Sequence, residues 1–477
     1  MAFQNQSALP AMISTCKIAA LCLIIFIVGL MLWVNLTVLP VIDESFFIYE
    51  GALTAEGLLP YRDIFNFYGP GTFYLVAFLV LLSGGVSLMV LRLAAFLGLV
   101  LCGWITFRIG QRFLPTTGLA LLMMWLWILM IPKHLMISHH LFSTVMVLLG
   151  TYALVRFVEA PHQSKYLVWA GVCLGIATLF TLSLGVISIG FMGGGLLVYL
   201  LQNKPEGFHK PGRVFLQYFF LPVLIPGLVS VVFFAVQGAL PDYLYSTVFW
   251  LFEGGYRQTT SHGYYQDGIQ QLQTLWPTTF QSIGSFTGQI LVLLKGLLPL
   301  LGIGWILTRL GKMLVGQKLQ RLSTNEWTLW ILGWSGLAFF LASFTYPTAT
   351  MVVIHGWLHY LFAGVALYQT MKNVSFIQKP VWGVATLLVL SMLYQQVQAA
   401  QWQLTLPVLQ SYGTVESEVR AVQYSADKVK AMQVIIDGVH ALKTRPTDLF
   451  VYNASPEFYL LTNTRGPTRY SYLMPVY

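Results

Sequence analysis

Ile18–Leu39, IAALCLIIFIVGLMLWVNLTVL, is an apolar run, and it leads through Pro40 into Val41–Tyr74, VIDESFFIYEGALTAEGLLPYRDIFNFYGPGTFY. The first stretch is long enough to cross the hydrocarbon core of a bilayer. It is too long for a cleaved signal peptide and lacks a small-residue cleavage site, so it reads as an uncleaved anchor with Lys17 on the cytoplasmic side. The second stretch holds Asp43, Glu44, Glu50, Glu56 and Asp63 in a chain of 477 residues with only 17 acidic side chains. Acid is scarce and gathered just past an anchor. The rest of the chain reads as a scaffold that holds this segment at one membrane face.

Working outward, composition agrees. The chain is 57% hydrophobic and 9% charged, whereas a soluble domain carries roughly 25% charged residues. Apolar runs of span length recur throughout. They are predicted near Leu88–Phe107, Leu119–Ile131, Leu141–Leu154, Tyr166–Phe180, Leu182–Leu201, Val214–Val236, Ile290–Leu307, Trp327–Phe344, Met351–Thr370 and Val381–Val397. With the anchor, that makes about eleven crossings. Phe73–Leu82 is apolar but short, and is predicted to be a juxtamembrane helix that does not cross. Charge agrees with that reading. Lys17, Arg108, Arg112, Arg156, Lys165 and the later basic loops then share the cytoplasmic side, leaving Arg62, Lys133 and Arg257 outside before the tail. The net charge of +9 is spread over loops, which fits the positive-inside pattern and not a nucleic-acid surface. Cys16, Cys22, Cys102 and Cys173 fall in or beside apolar spans, with no disulfide framework or metal spacing.

The expected architecture is an all-α polytopic membrane protein. Residues 1–400 form the transmembrane domain, with a first outer loop over 40–87 and a long outer loop over 237–286. Residues 401–477 form a small extracytoplasmic α/β cap. In it, Val415–Leu442 has helical spacing, and DLFVYNASPEFYLLTNTRGPTRY reads as strand, turn, short helix and loop. No internal repeat is evident, which disfavours a secondary transporter.

Two adjacent carboxylates are costly in the bilayer centre, about 2.5–3.5 kcal/mol each on insertion scales, so Asp43 and Glu44 belong at the aqueous interface. The plain alternative is that they only mark the end of a span. His139 and His140, in SHHLFS, can contact phosphate, acceptor or a divalent metal, or can simply cap a helix start with Ser138 as N-cap. His355 and His359 lie one helical turn apart. That spacing can bind zinc, but the glutamate of HExxH is missing, which favours a structural or headgroup-contact role. Arg92 lies within a span, where a charge is a functional candidate or, near a helix end, snorkels to the interface.

The run of DES, then LPYRD, then GP resembles the first outer loop of membrane glycosyltransferases of the GT-C fold, in the branch of the protein O-mannosyltransferases and lipid A aminoarabinose transferases. LRLAAFLG (Leu91–Gly98) is similar to the start of that family's second helix, FRIGQRFLP to its basic turn, and VYNASPEFYLLTNTRGPTRY to its closing region. The resemblance implies transfer of a sugar from a polyprenyl-phosphate-linked donor to a lipid, glycan or protein acceptor at the outer face of the plasma membrane. It maps the general base onto Asp43, with Glu44 positioning the acceptor or tuning Asp43. Tyr61, Arg62 and Asp63 of the PYRD run become substrate contacts. Arg62, Lys133 and Arg257 are the cations on hand for the leaving phosphate. HGWLHY, with His355 and His359, loosely resembles a His-Tyr pair near the lipid phosphate. SHHLFS departs from the family, which carries an acid there, so no metal and no cofactor are expected. The rival readings are a polymerase or ligase of lipid-linked polysaccharide, which needs essential arginines in a large outer loop, and a transporter or flippase, which needs paired charges deep in several spans.

Overall fold

The computed structural model describes residues 42–134, 136–203, 210–250, 303–308, 322–343, 356–371, 412–414, 423–442, 457–462 and 464–465. The anchor Ile18–Leu39 and the span near Val381–Val397 lie outside the described residues.

The acidic segment is not the loop that its polarity predicts. Ile42–Ala55 is a helix, α1. Asp43 and Glu44 stand in its first turn, where the helix N-terminus favours negative charge. Phe46, Phe47, Ile48, Tyr49, Ala52 and Leu53 are all buried, so the helix is enclosed on every side and not laid on a surface. α2, Gly71–Ser83, packs on it with Val76 against Gly51. The turn of α2 is closed by Gly84 at φ 65°, a left-handed cap that glycine adopts without strain. Thirteen residues make a helix about 20 Å long, shorter than the ~30 Å hydrocarbon core.

The bundle follows in up-and-down order: α3 Leu88–Gly110, α4 Thr116–His134, α5 His139–Glu159, α6 Lys165–Phe180 and α7 Leu182–Asn203. α8, Pro211–Val236, widens to π geometry over Phe215–Phe220, just before Pro222. Four helices, α3, α5, α7 and α8, are long and apolar enough to cross a membrane among the described residues. Their outer faces expose large apolar side chains such as Trp104, Val186 and Leu228, as a lipid-facing surface requires. The protein is a helical membrane protein.

The start of the long polar loop is also helical. Leu240–Leu244 forms α9, with Pro241 in its first turn, a position that proline pre-organises. It runs on through Tyr245–Phe249. Polar, Tyr-rich composition concealed this turn. Residues 251–286 lie outside the described residues. α10, Thr324–Ala342, opens with a capping box between Ser323 and Glu326, and α11, Gly356–Met371, packs against it with Gly336 at the contact. Near the C-terminus, β1 (Tyr412–Thr414) and β2 (Gln423–Ser425) pair antiparallel. They are followed by α12 (Ala426–Leu442) and α13 (Glu457–Leu461). α13 returns to α1, where Tyr459 stacks on Tyr49 at 5.1 Å and Arg465 pairs with Glu56.

α6 and α8 meet through glycines. A Cβ at Gly171 would stand 2.4 Å from the Phe219 carbonyl oxygen, and one at Gly175 2.3 Å from that of Val223. This small-xxx-small spacing lets two backbones touch where lipid supplies no hydrophobic drive. Gly175→Val is expected to cost about 1–3 kcal/mol by overpacking. Gly190→Ala on α7, where a Cβ meets nothing within 4 Å, should be near neutral. Thermal unfolding in detergent checks the pair, and equal effects at both positions would contradict this packing.

Candidate active site

α1, α3 and α5 all begin at one end of the bundle, and Glu44 ties them together. Its Oε2 accepts from Nη2 of Arg92 at 2.7 Å, and its Oε1 accepts from Nε of Arg92 at 3.2 Å and from the Ile137 amide at 3.2 Å. The Glu44 and Arg92 side chains are 1% and 5% exposed. This corrects the expectation that Glu44 stands at the aqueous interface. A fork-to-fork guanidinium–carboxylate pair with a further amide satisfies the charges, so both groups tolerate burial. Arg92 does not snorkel. It pairs with Glu44 inside the bundle.

Asp43 precedes Glu44 in the first turn of α1, but its side chain lies outside the described residues. One turn on, Phe47 packs its ring 5.1 Å from His139 and 5.3 Å from Tyr68, while Tyr68 lies 4.5 Å from His139. The His139 and His140 rings lie 3.9 Å apart, tilted by 36°. Ser138 caps α5 as expected, its hydroxyl accepting from the His140 amide at 3.2 Å. Ser143 donates to the His140 carbonyl and to Thr181 Oγ1, each at 3.0 Å. The histidines therefore belong to the same end as the carboxylates, with His139 buried and His140 half-buried.

Two buried polar groups escaped sequence reasoning. Glu50 and Asn66 are each 1% exposed, and the Asn66 amide donates to Glu50 Oε2 while its oxygen accepts from the Tyr68 amide at 2.6 Å. Glu50 stands seven residues after Asp43, on one helical face with it and Phe47. That spacing was the available signal. Asn66 had none, because its partner is set by the loop's path.

The PYRD turn forms a separate knot. Tyr61 holds φ at 75°, an outlier for a bulky residue. Its amide donates to the Ile64 carbonyl at 2.7 Å, and its hydroxyl donates to the Tyr68 carbonyl at 2.8 Å. Its ring packs on Phe234 and Tyr243. Burial first, then the neighbouring Tyr243 and Tyr74, pushes the Tyr61 phenol well above its ordinary range. Asp63 accepts from the Leu59 amide at 2.8 Å and from Nε and Nη2 of Arg62, each at 2.9 Å. The Arg62 hydrogen bond holds the Asp63 carboxyl below the usual carboxylate range. Nη1 of Arg62 donates to the Gln237 carbonyl at 3.2 Å. Arg62, expected as a phosphate cation, is thus committed to Asp63 and the end of α8, though its side chain remains 47% exposed.

His359 does not join this group. His359 is buried between α10 and α11, with Phe340 at 6.1 Å and Tyr360 at 4.4 Å, and neither ring nitrogen has a hydrogen-bond partner among the described residues. His355 and Arg257 lie outside the described residues, as does the Lys133 side chain. Among the described residues no cluster of three His, Cys, Asp or Glu side chains is set to hold a metal.

No family profile and no curated protein matches the chain. Solved structures do resemble it. The crystal structure of ArnT from Cupriavidus metallidurans bound to undecaprenyl phosphate is 16% identical, covering 89% of this chain and 71% of that one, with a TM-score of 0.49. The same protein in the apo state is 15% identical over 90% and 70%, with a TM-score of 0.48. The Archaeoglobus fulgidus oligosaccharyltransferase in complex with Zn and sulfate is 14% identical over 88% and 57%, with a TM-score of 0.43. Likenesses this distant do not assign chemistry to the chain.

Arg92→Met leaves the Glu44 carboxylate buried without its cation, which is expected to cost about 3–5 kcal/mol. The double variant Glu44→Gln/Arg92→Met removes both charges and should recover part of that loss. A thermal double-mutant cycle checks this, and strictly additive losses would contradict the pairing.

Proposed function

We propose that this protein is an integral membrane glycosyltransferase that moves a sugar from a polyprenyl-phosphate-linked donor to an acceptor, with Asp43 as general base. The observation that supports this best is the anchoring of Glu44 by Arg92 and the Ile137 amide. It fixes the first turn of α1, which carries Asp43, beside the start of α5 with its two histidines.

In the proposed reaction an acceptor hydroxyl attacks the anomeric carbon of the donor. The new C–O bond forms as the bond from the anomeric carbon to the phosphate oxygen breaks, and that electron pair leaves with the lipid phosphate. Asp43 takes the hydroxyl proton. Glu44 is engaged with Arg92 and Ile137, so its role is to hold the turn that carries Asp43. His139 and His140, with Lys133 and Arg257, supply donors and positive charge for the departing phosphate. The Arg62–Asp63 pair keeps the PYRD turn in place against α8. The acceptor is a lipid, glycan or protein hydroxyl. On this reading the site, the 237–286 segment and the 401–477 cap face the extracytoplasmic side of the plasma membrane, and the N-terminus is cytoplasmic. The ring contact of Tyr459 on Tyr49 and the Arg465–Glu56 pair support a C-terminal segment on the same side as the first outer segment.

A positioned base contributes roughly 10²–10⁴ in rate. Asp43→Asn is therefore expected to lower kcat by at least about 100-fold with little change in KM for the donor. The assay is transfer of radiolabelled sugar from polyprenyl-phosphate donors by purified protein in lipid. Transfer at the native rate would remove Asp43 from the base role, and no transfer from any such donor would overturn the reading as a whole.

A further inference from the structure

The other end of the bundle has its own charged assembly, which the proposed reaction does not use. Arg108 lies in the last turn of α3 and Arg112 two residues past its end, α5 ends with Arg156 and Glu159, and α6 begins with Lys165. Arg112 grips Glu159 with two of its nitrogens, and Nη1 of Arg156 reaches the same carboxylate at 3.1 Å. Two of these cations share one carboxylate, and with Arg108 and Lys165 nearby in the chain positive charge is in excess. The Nε of Arg108 is buried with no hydrogen-bond partner among the described residues. The assembly is partly sheltered, with the Arg112 side chain 16% exposed and that of Arg156 38% exposed.

Aromatic rings join this charge to the lipid-facing surface. The Arg112 guanidinium lies 5.7 Å from the centre of the Tyr152 ring, and Tyr152 lies 6.1 Å from Trp104. Trp104 is 50% exposed and Phe107, next to Arg108, is 43% exposed. On the other flank, Arg156 and Lys165 lie over Tyr166 at 5.8 and 5.3 Å. The strip therefore passes from apolar side chains at membrane depth, through amphipathic rings, to clustered guanidinium groups. That gradient matches a phospholipid, with acyl chain against Trp104 and Phe107 and headgroup phosphate against the arginines.

We propose that Arg108, Arg112 and Arg156, with Tyr152 and Trp104, form a binding site for an anionic phospholipid of the leaflet opposite the Glu44 site. Spread positive charge on membrane loops attracts anionic lipid in general. What sets this place apart is that Glu159 holds two arginines, Arg112 and Arg156, in one geometry beside Arg108, with a hydrophobic approach. The bound lipid bridges the ends of α3 and α5, and so stabilises the fold at the end remote from the Glu44 site.

The test uses the full-length protein in detergent, titrated with phosphatidylglycerol or phosphatidylcholine and followed by native mass spectrometry and thermal unfolding. Phosphatidylglycerol is expected to bind at least about tenfold tighter and to raise the unfolding midpoint. Arg112→Gln/Arg156→Gln should reduce it to the level of phosphatidylcholine, and Arg112→Lys/Arg156→Lys should keep part of the preference. Arg213→Gln, an exposed cation at the start of α8, should change nothing. If the double variant fails to fold, Arg156→Gln alone, removing the most exposed of the pair, carries the measurement. Equal binding of the two lipids, an equal loss from Arg213→Gln, or an equal midpoint shift from inorganic phosphate overturns the proposal.

Discussion

A buried carboxylate needs a cation, and in this protein that need organises one end of the molecule. Glu44 and Arg92 are 48 residues apart and come from different helices, yet neither is tolerated inside the bundle without the other. Once they pair, the first turn of α1 is set against α3. The Ile137 amide on the same carboxylate then brings in the approach to α5. Three helix starts are thereby held in one register, and the side chains on those starts, Asp43, Phe47, His139 and His140, follow from it.

The two ends of the bundle are chemically unlike. One gathers Glu44, Glu50, Glu56 and Asp63 around α1 and its following turn, with the C-terminal segment resting on them through Tyr459 and Arg465. The other gathers arginines and Lys165 around Glu159. Between them the helices bury residues such as Leu99, Leu148 and Ile331 completely. Packing there relies on close approach, as at Gly171 and Gly175, because lipid tails are as apolar as the side chains they would replace. Charge at the ends and contact in the middle are the two devices that specify the arrangement.

The helical spans were legible because hydrophobic runs of that length have few alternatives. Leu88–Gly110, Lys165–Phe180 and Leu182–Asn203 begin within a residue or so of where hydropathy placed them, and Ser138 caps α5 as its residue type predicts. The acidic segment misled because its carboxylates look like loop residues, whereas Asp43 and Glu44 stand in a first helical turn and Arg92 accounts for the burial of Glu44. A pairing across 48 residues leaves no periodic trace. Glu50 was visible only as a same-face position, and Asn66 depends on a loop path that no local pattern encodes. Arg62 looked like a free cation because its partner Asp63 adjoins it in sequence, where side chains more often diverge.

The proposed function requires that an isoprenoid phosphate bind beside the starts of α1 and α5. Its most direct test is photo-crosslinking with a polyprenyl phosphate carrying a diazirine beside the phosphate, followed by peptide mapping. Adducts should fall on 42–50, 61–68 and 136–143 and should be competed away by unlabelled polyprenyl phosphate. Labelling confined to the outer faces of α3, α7 and α8, with those three segments unmodified, would contradict the account.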